Sequence, residues 1–467
     1  MNPEIFKQYD IRGVYPSDLN ETDASIIAYQ AANLLSARNC IIGFDSRRGS
    51  RSIAEAIGTT LASAGMRIVN LGLVSTPEFY FSVAKEKMDM GVMVTASHNP
   101  KQFNGLKIVG KGAFPITFEN GMKDIMERSL DYYELNMPSG KGELLNRSFR
   151  KEFIAYSLSQ VSEGDISKLE GTKIVVDASS GAIGPTASEF FSKLPVEVVK
   201  LNFEPDPEFP SHSPNPMDKE STEMLSKRVV EEGAVLGIIF DGDGDRVLFV
   251  DERGLVVRAD TITALLAEEI CLSKPRQKIL YDLRSSKFVP EAIKAAGGIP
   301  LMCRIGHSLI KKRMREEKAS FAGELSGHYY YPILGSYFEN SLLTSLQILI
   351  AVSKRGKLSE LASRNRYFQS GELNFEAAEK ERIIREVHRL FEKEKLSESS
   401  MDGLLMEFGS WRFSLRASNT EPLLRLNIEA DSEELLNQKR DILCSMIKKF
   451  NEKLIKAGGS KPEEDSS

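Results

Sequence analysis

Asp241-Gly242-Asp243-Gly244-Asp245-Arg246 stands between two apolar runs, Ala234 to Phe240 (AVLGIIF) and Val247 to Val250 (VLFV). The runs read as buried strands, so the hexapeptide is a loop at the end of a sheet. Glycine removes side-chain bulk and lets the backbone turn tightly, so the three carboxylates can converge on one point. Three anions held together repel unless a cation sits among them, and an all-oxygen ligand set suits Mg²⁺. An ordinary acidic turn at a strand end is the bland alternative. A calcium EF-hand is the sharper one, because Asp241, Asp243, Asp245 and Glu252 fall at loop positions one, three, five and twelve. Arg246 occupies the position where that loop needs Gly, and the flanks are strand-like rather than helical. The stretch is therefore read as a divalent-metal loop with Asp241, Asp243 and Asp245 as ligands.

Outward from this loop, aliphatic strands alternate with amphipathic helices, the pattern of α/β layers. IIGFDSRRGS (Ile41 to Ser50), IVVDASSGAI (Ile174 to Ile183) and ILYDLRSSKF (Ile279 to Phe288) each put an Asp after a strand-like run, then small polar residues. Each is followed by a helix-like stretch and a second strand, MRIVNLG, VEVVKLN and IPLMCRIG, which predicts three related α/β units. The last part differs. A charged segment read as helical, Phe375 to Lys395, leads into GSWRFSLRASNTEPLLRLNIEA and a final helix, a small α+β unit. Boundaries are expected at 1–150, 151–255, 256–367 and 368–457, with a disordered tail at 458–467.

The 467 residues are 41% hydrophobic and 27% charged, ordinary for a globular protein. A net charge of −5 gives no nucleic-acid footprint, so an anionic ligand must be held by local basic clusters. MNPEIFKQYDIRG has no apolar core of a signal peptide, and Leu342 to Val352 is too short to span a bilayer. Cys40, Cys271, Cys303 and Cys444 have no metal-type spacing. No nucleic-acid or membrane partner is expected, and a reduced cytoplasm is.

Further loops carry candidate chemistry. Ser97 lies in TASHNP after the strand-like GVMV, where α/β ligand sites form. It reads either as a nucleophilic or phosphorylated serine, or as a capping serine before Pro. His98 is not expected to act as its base, since neighbours in an extended chain point to opposite sides. Lys107 in FNGLKIVG is a solvated edge residue or an acid or base whose pKa is lowered by burial beside other cations. His307 and Lys311 sit in RIGHSLIK at the start of a helix-like segment. In GELSGH, Glu324 and Ser326 alternate and can both face sugar hydroxyls, with His328 just after them; the alternative is a polar turn. Arg416, Ser418, Asn419 and Thr420 offer a forked guanidinium, hydroxyls and amides to a phosphate, or simply form a turn between strands. His98, His307 and His328, three of only five histidines, fall in these loops, with His212 in another Pro-rich loop.

With these loops in this order, the chain resembles the α-D-phosphohexomutases from residue 5 to about 455. FKQYDIRG, TASHNP, DGDGDR, GELSGH and RASNTEP carry the likeness, and YDIRG (Tyr9 to Gly13) is similar to the bacterial phosphomannomutase/phosphoglucomutase branch. Phosphoglucosamine mutases more often carry a GTDGIRG-like start and GEQSGH. The resemblance implies a four-domain, heart-shaped molecule: three related α/β domains with mixed sheets, plus a C-terminal α+β domain. It implies a phosphorylated Ser97 whose phosphate is bridged by one Mg²⁺ to Asp241, Asp243 and Asp245, with Arg246 beside it. It puts Arg12, Lys107 and His307 near the reacting hydroxyl, Lys107 as general base. Tyr9, Arg284, Glu324, Ser326 and His328 would contact the sugar, and Arg416, Ser418, Asn419 and Thr420 the idle phosphate. Arg284 stands where relatives often show Lys. Ile305 replaces a common Thr, and Phe338-Glu339-Asn340 replaces an acidic segment, changes expected to leave the core chemistry alone.

The implied reaction moves phosphoryl between C1 and C6 of a hexose phosphate, mannose and/or glucose, with a hexose 1,6-bisphosphate as intermediate and activator. The partner is a small phosphosugar, and the molecule is expected to be a monomer or homodimer. Phosphoglucosamine mutation, phosphoserine hydrolysis and sugar-phosphate sensing without turnover are the rival readings. Retention of Ser97, Lys107 and all three aspartates argues against a sensor.

Overall fold

The computed structural model describes residues 1–132, 140–377, 379–418 and 423–458, with side chains through residue 452. Among them the strands form four sheets, and three share one plan. In the first, Asn39–Phe44 lies parallel to Arg67–Leu73 and to Met90–Val94, and Met90–Val94 pairs antiparallel with Phe103–Gly110. In the second, Thr172–Asp177 lies parallel to Val196–Leu201 and Leu236–Phe240, and the latter pairs antiparallel with Val247–Asp251. In the third, Lys278–Asp282 lies parallel to Ile299–Cys303 and Phe321–Gly323, and the latter pairs antiparallel with Tyr329–Ile333. The three sequence units are thus one supersecondary design used three times, and each sheet is mixed because its last connection is a short reversal.

That reversal is where the chemistry-bearing loops fall. TASHNP, DGDGDR and GELSGH each join the third parallel strand to the antiparallel strand, the same place in each repeat. The Asp after the first strand also recurs in function. Asp45, Asp177 and Asp282 each accept the backbone N–H two residues on, from Arg47, Ser179 and Arg284, at 2.8–3.0 Å. Each also holds a basic partner: Arg47, His212 and Arg284 respectively. A carboxylate that closes its own turn explains why the motif stands at a strand end.

The first three units share a continuous apolar core in which Phe79, Tyr80, Phe149, Phe190, Phe249 and Phe338 are buried. Helix Ser341–Arg355, which contains the apolar Leu342 to Val352, is buried within it. No helix among the described residues is long and apolar enough to cross a membrane. The last unit has its own core around Trp411, Phe413 and Phe391 and an all-antiparallel sheet. It meets the third unit through polar contacts. Arg412 Nη2 donates to the Ser285 carbonyl, and the Lys287 N–H donates to the Glu429 carboxylate at 3.0 Å. The segment read as helical from Phe375 begins instead as strand Leu373–Glu376, paired with Leu423–Ala430; the helix is Lys380–Phe391. Alternation of Leu373 and Phe375 with polar residues marks that strand. The expected disordered tail lies outside the described residues beyond Gly458, where the final helix ends.

Candidate active site

Ser97 is buried and has φ +51°, a left-handed conformation uncommon for a residue with a side chain. Surroundings must hold such a residue in place. Arg47 does so: Nη1 donates to the carbonyls of Pro100 and Phe103 at 2.9 and 3.1 Å, and Nη2 to those of Ser97 and Asn99 at 2.6 and 2.5 Å. Its Nε lies 3.3 Å from Asp45. The Ser97 N–H donates to Thr95 Oγ1 at 2.8 Å. Held this way, Ser97 Oγ donates to Asp241 Oδ2 at 3.0 Å and comes within 3.4 Å of His98 Nδ1. The expectation that His98 turns away from Ser97 fails because the backbone at Ser97 is left-handed, not extended.

Asp241, Asp243 and Asp245 are buried, and one oxygen of each lies within 4.8 Å of the others. The intervening glycines are required. A Cβ on Gly242 would stand 2.8 Å from the Ser97 carbonyl, and Gly244 has φ +75°. Thr76 Oγ1 donates to Asp243 Oδ2 at 2.7 Å, and Lys107 Nζ reaches Asp243 Oδ2 at 2.7 Å and Asp245 Oδ2 at 2.5 Å. Burial, with Asp245 and Asp243 alongside, pushes the Asp241 carboxyl well above the usual range. Asp243 Oδ1 is buried with no hydrogen-bond partner. A crowded carboxylate set with an orphaned oxygen is short of positive charge, so these residues fit a divalent cation.

Lys107 is buried, which removes the solvated-edge reading, but its neighbours are anions rather than cations. Burial alone would lower its pKa; Asp243 and Asp245 outweigh that and hold it well above the ordinary value, reversing the lowered value expected from sequence. His98 is neutral, its pKa depressed by burial and by Arg246 and Arg12. His307 is depressed likewise by burial, Lys311 and Lys107. His328 goes the other way. Burial opposes its charge, but Asp245 and Glu324 push its pKa up to about 9. Its Nε2 lies 3.3 Å from Asp245, and its Nδ1 lies 3.0 Å from Glu324 and 2.9 Å from Ser326 Oγ. A bridge between Arg246 and His328 ties the metal loop to GELSGH.

Two adjoining cavities, of about 530 and 620 Å³, share His98, Arg246, His307 and His328 in their walls. Tyr9, Arg12, Ser97 and Lys107 line the first. Arg12 is paired with Asp10 at 2.7 Å and keeps a buried, unpartnered Nη1. The Tyr9 ring stands edge-on to His307, centroids 5.8 Å apart. Arg284, Glu324, Ser326 and Arg416 line the second. Glu324 accepts from Tyr330 OH at 2.8 Å and from the Gly306 N–H at 3.1 Å. Ser418 accepts through its carbonyl from Lys380 Nζ at 2.9 Å and does not line either cavity. Asn419 and Thr420 lie outside the described residues. Of the other candidates, Tyr9, Arg12, Ser97, Lys107, Asp245, Arg246, His307 and His328 line the first cavity, and Arg284, Glu324, Ser326 and Arg416 the second. Asp241 and Asp243 line neither and sit behind Ser97 and Lys107.

Sequence reading missed several supports. Arg47 and Thr76 are two of them; the Asp45-Ser46-Arg47 spacing, repeated in Asp282-Leu283-Arg284, is the signal that could have found Arg47. The segment from Phe338 also supports the site. Glu339 pairs with Lys311 at 2.8 Å, one turn beyond His307, and Ser341 Oγ donates to the Gly244 carbonyl at 2.6 Å. His212 is structural, held 3.1 Å from Asp177.

A buried serine on a carboxylate cluster, opening on arginines and histidines of both charge states, is the equipment of a phosphoryl-transfer enzyme. Four family descriptions match in series: phosphoglucomutase/phosphomannomutase alpha/beta/alpha domains I, II and III at residues 3–133, 151–254 and 258–367, and the C-terminal domain at 372–444. The chain belongs to the phosphoglucomutase/phosphomannomutase family and is a phosphohexomutase, an isomerase. It is 38% identical over 459 residues to a phosphomannomutase of Methanocaldococcus jannaschii, covering 96% of this chain and 99% of that one. It is 34% identical over 446 residues to a phosphomannomutase of Escherichia coli, covering 93% and 96%. A solved phosphoglucomutase/phosphomannomutase family protein of Burkholderia thailandensis superposes with a TM-score of 0.87 at 27% identity, over 96% and 98% of the two chains.

Proposed function

We propose that the enzyme moves phosphoryl between C1 and C6 of a hexose phosphate, mannose and/or glucose, through phospho-Ser97 and a hexose 1,6-bisphosphate. The observation that carries this is Ser97 itself: strained, buried, 3.0 Å from Asp241 and on the wall of the cleft. Asp241, Asp243 and Asp245 would hold Mg²⁺, which supplies charge neutralisation for the transferring group. Arg12 and Arg246 face the same space and stabilise charge on the phosphoryl oxygens. Glu324, Ser326, Arg284 and Tyr9 orient the sugar, while Arg416 and the loop with Ser418, Asn419 and Thr420 hold the idle phosphate.

Charge states divide the proton work, since groups driven apart in pKa take opposite roles. Neutral His307 takes the proton of the attacking sugar hydroxyl, and neutral His98 is placed to take that of Ser97. Lys107, held between Asp243 and Asp245, adds positive charge beside the transferring group rather than carrying the proton. The reaction is reversible, so the proton that His98 takes from Ser97 in one direction it returns to the Ser97 oxygen in the other. Two adjoining cavities provide room for the bisphosphate to turn and present its other phosphate to Ser97.

Ser97→Ala tests the reading. Turnover of glucose 1-phosphate or mannose 1-phosphate should fall by at least about 10⁴-fold, an effect of the size seen when a covalent nucleophile is removed. Phosphosugar binding should persist. Peptide mapping of active enzyme should put phosphate on Ser97; label found only elsewhere sinks the assignment.

A further inference from the structure

Glu372 stands just before strand Leu373–Glu376, and it lines the second cavity. Its Oε1 accepts from Arg425 Nη1 at 3.1 Å; its Oε2 lies 3.5 Å from Arg416 Nη2 and 4.0 Å from Arg284 Nη1. A carboxylate among three guanidiniums occupies the place that a phosphate takes in such a cluster.

The strand register explains why an anion is needed there. Arg416 and Arg425 are direct Cα partners across the pair Trp411–Ala417 and Leu423–Ala430. Like charges directly opposite on adjacent strands are destabilising. Glu372 screens them, yet its grip is incomplete. Among the described residues its buried Oε2 has no hydrogen bond, and neither has the buried Arg416 Nε. Arg284, in contrast, is anchored 2.8 Å from Asp282 two residues earlier. A weakly bonded carboxylate facing a cleft is displaceable in a way that a locally paired one is not.

We propose that Glu372 is the resident counter-anion of the distal phosphate site: it keeps Arg416 and Arg425 together when no substrate is bound and competes with the substrate phosphate for them. The proposal rests on the reading of the Arg416 loop as the phosphate site. It gives that site a limited affinity by design. A mutase needs this, because the phosphate held there during one transfer must leave so that the bisphosphate can turn and present it to Ser97. A site that bound phosphate as tightly as three undiluted guanidiniums allow would slow the turn.

Calorimetric binding of glucose 1-phosphate and of inorganic phosphate, in full-length protein carrying Ser97→Ala to prevent turnover, tests this. Adding Glu372→Gln, which keeps shape and removes charge, should tighten both ligands on the order of tenfold, as expected when a like charge about 4 Å away in a partly solvated site is removed. On the Ser97 background the same variant should lower KM and kcat together. Unchanged or weaker binding, while Arg416→Ala still weakens it at least about tenfold, overturns the proposal and leaves Glu372 only an orienting role. If Arg416→Ala binds like its parent, the phosphate-site reading itself has failed. Should Glu372→Gln fold poorly, Glu372→Asp withdraws the charge by one methylene and should also bind tighter, by a smaller factor; no gain there overturns the proposal equally.

Discussion

At the serine end of the cleft, four carbonyl bonds from Arg47 fix the loop of Ser97, and Thr76 and Lys107 fix the aspartates within 2.5–2.7 Å. At the arginine end, Arg416 has, among the described residues, a 3.5 Å ion pair with Glu372 and no hydrogen bond at Nε. The serine end is built on the shared core of the first three units; the arginine end belongs partly to the last unit, joined by polar contacts. The difference matches the work. In-line transfer rewards fixed geometry, since a misplacement of about 1 Å can cost 10²-fold in rate. On the proposed reaction, recognition of either end of a reversing bisphosphate would reward a site that grips and lets go.

The largest effect should come from breaking the serine end at its charge. Asp243→Asn keeps the shape, including the bond from Thr76, but removes one of three anions. It should cost at least about 10²-fold in kcat, on the scale of removing one electrostatic stabiliser of a transition state. Titration with Mg²⁺ should show weakened activation. Near-normal activity, or wild-type activity in excess chelator, would take the cation out of the reading. Next comes geometry. Arg47→Lys retains charge but cannot reach four carbonyls with one ammonium. We expect kcat to fall by about 10- to 100-fold with KM nearly unchanged, the signature of a misplaced serine rather than a lost contact. A change in KM alone would place Arg47 in binding and blur the contrast between the two ends.

Much of the site was legible because its signals are local. DGDGDR needs only its own glycines and aspartates to converge, and each Asp at a strand end closes a turn two residues long. The threefold repeat was legible for the same reason. What the chain does not display locally was missed. Arg47 clasps carbonyls about fifty residues away in sequence, and Thr76 reaches Asp243 across two units. The charge state of Lys107 depends on which ions fold against it, and sequence offered cations where the fold supplied aspartates. The left-handed turn at Ser97, which swings its hydroxyl toward His98, is likewise a product of packing.

The smallest effect concerns the joint between the two ends. His328 touches Asp245 of DGDGDR at 3.3 Å and Glu324 of GELSGH at 3.0 Å, so its charge binds the two loops together. Its pKa rises from 6.5 to about 9 on folding. A raised basic pKa contributes stability that is fully present below pH 6.5 and is lost as pH rises through about 9. The shift corresponds to about 3 kcal/mol at most, at ~1.4 kcal/mol per pKa step. In a wild-type versus His328→Gln comparison, the Tm advantage of wild type should be largest near pH 6 and shrink by roughly 5 °C toward pH 10. Asp245 and Glu324, both held below the usual carboxylate range, act on the acid side and leave this window alone. An advantage that stays constant from pH 6 to pH 10 would mean that the imidazole is neutral in the fold, and the serine and arginine ends would then be joined by packing and backbone pairing rather than by charge.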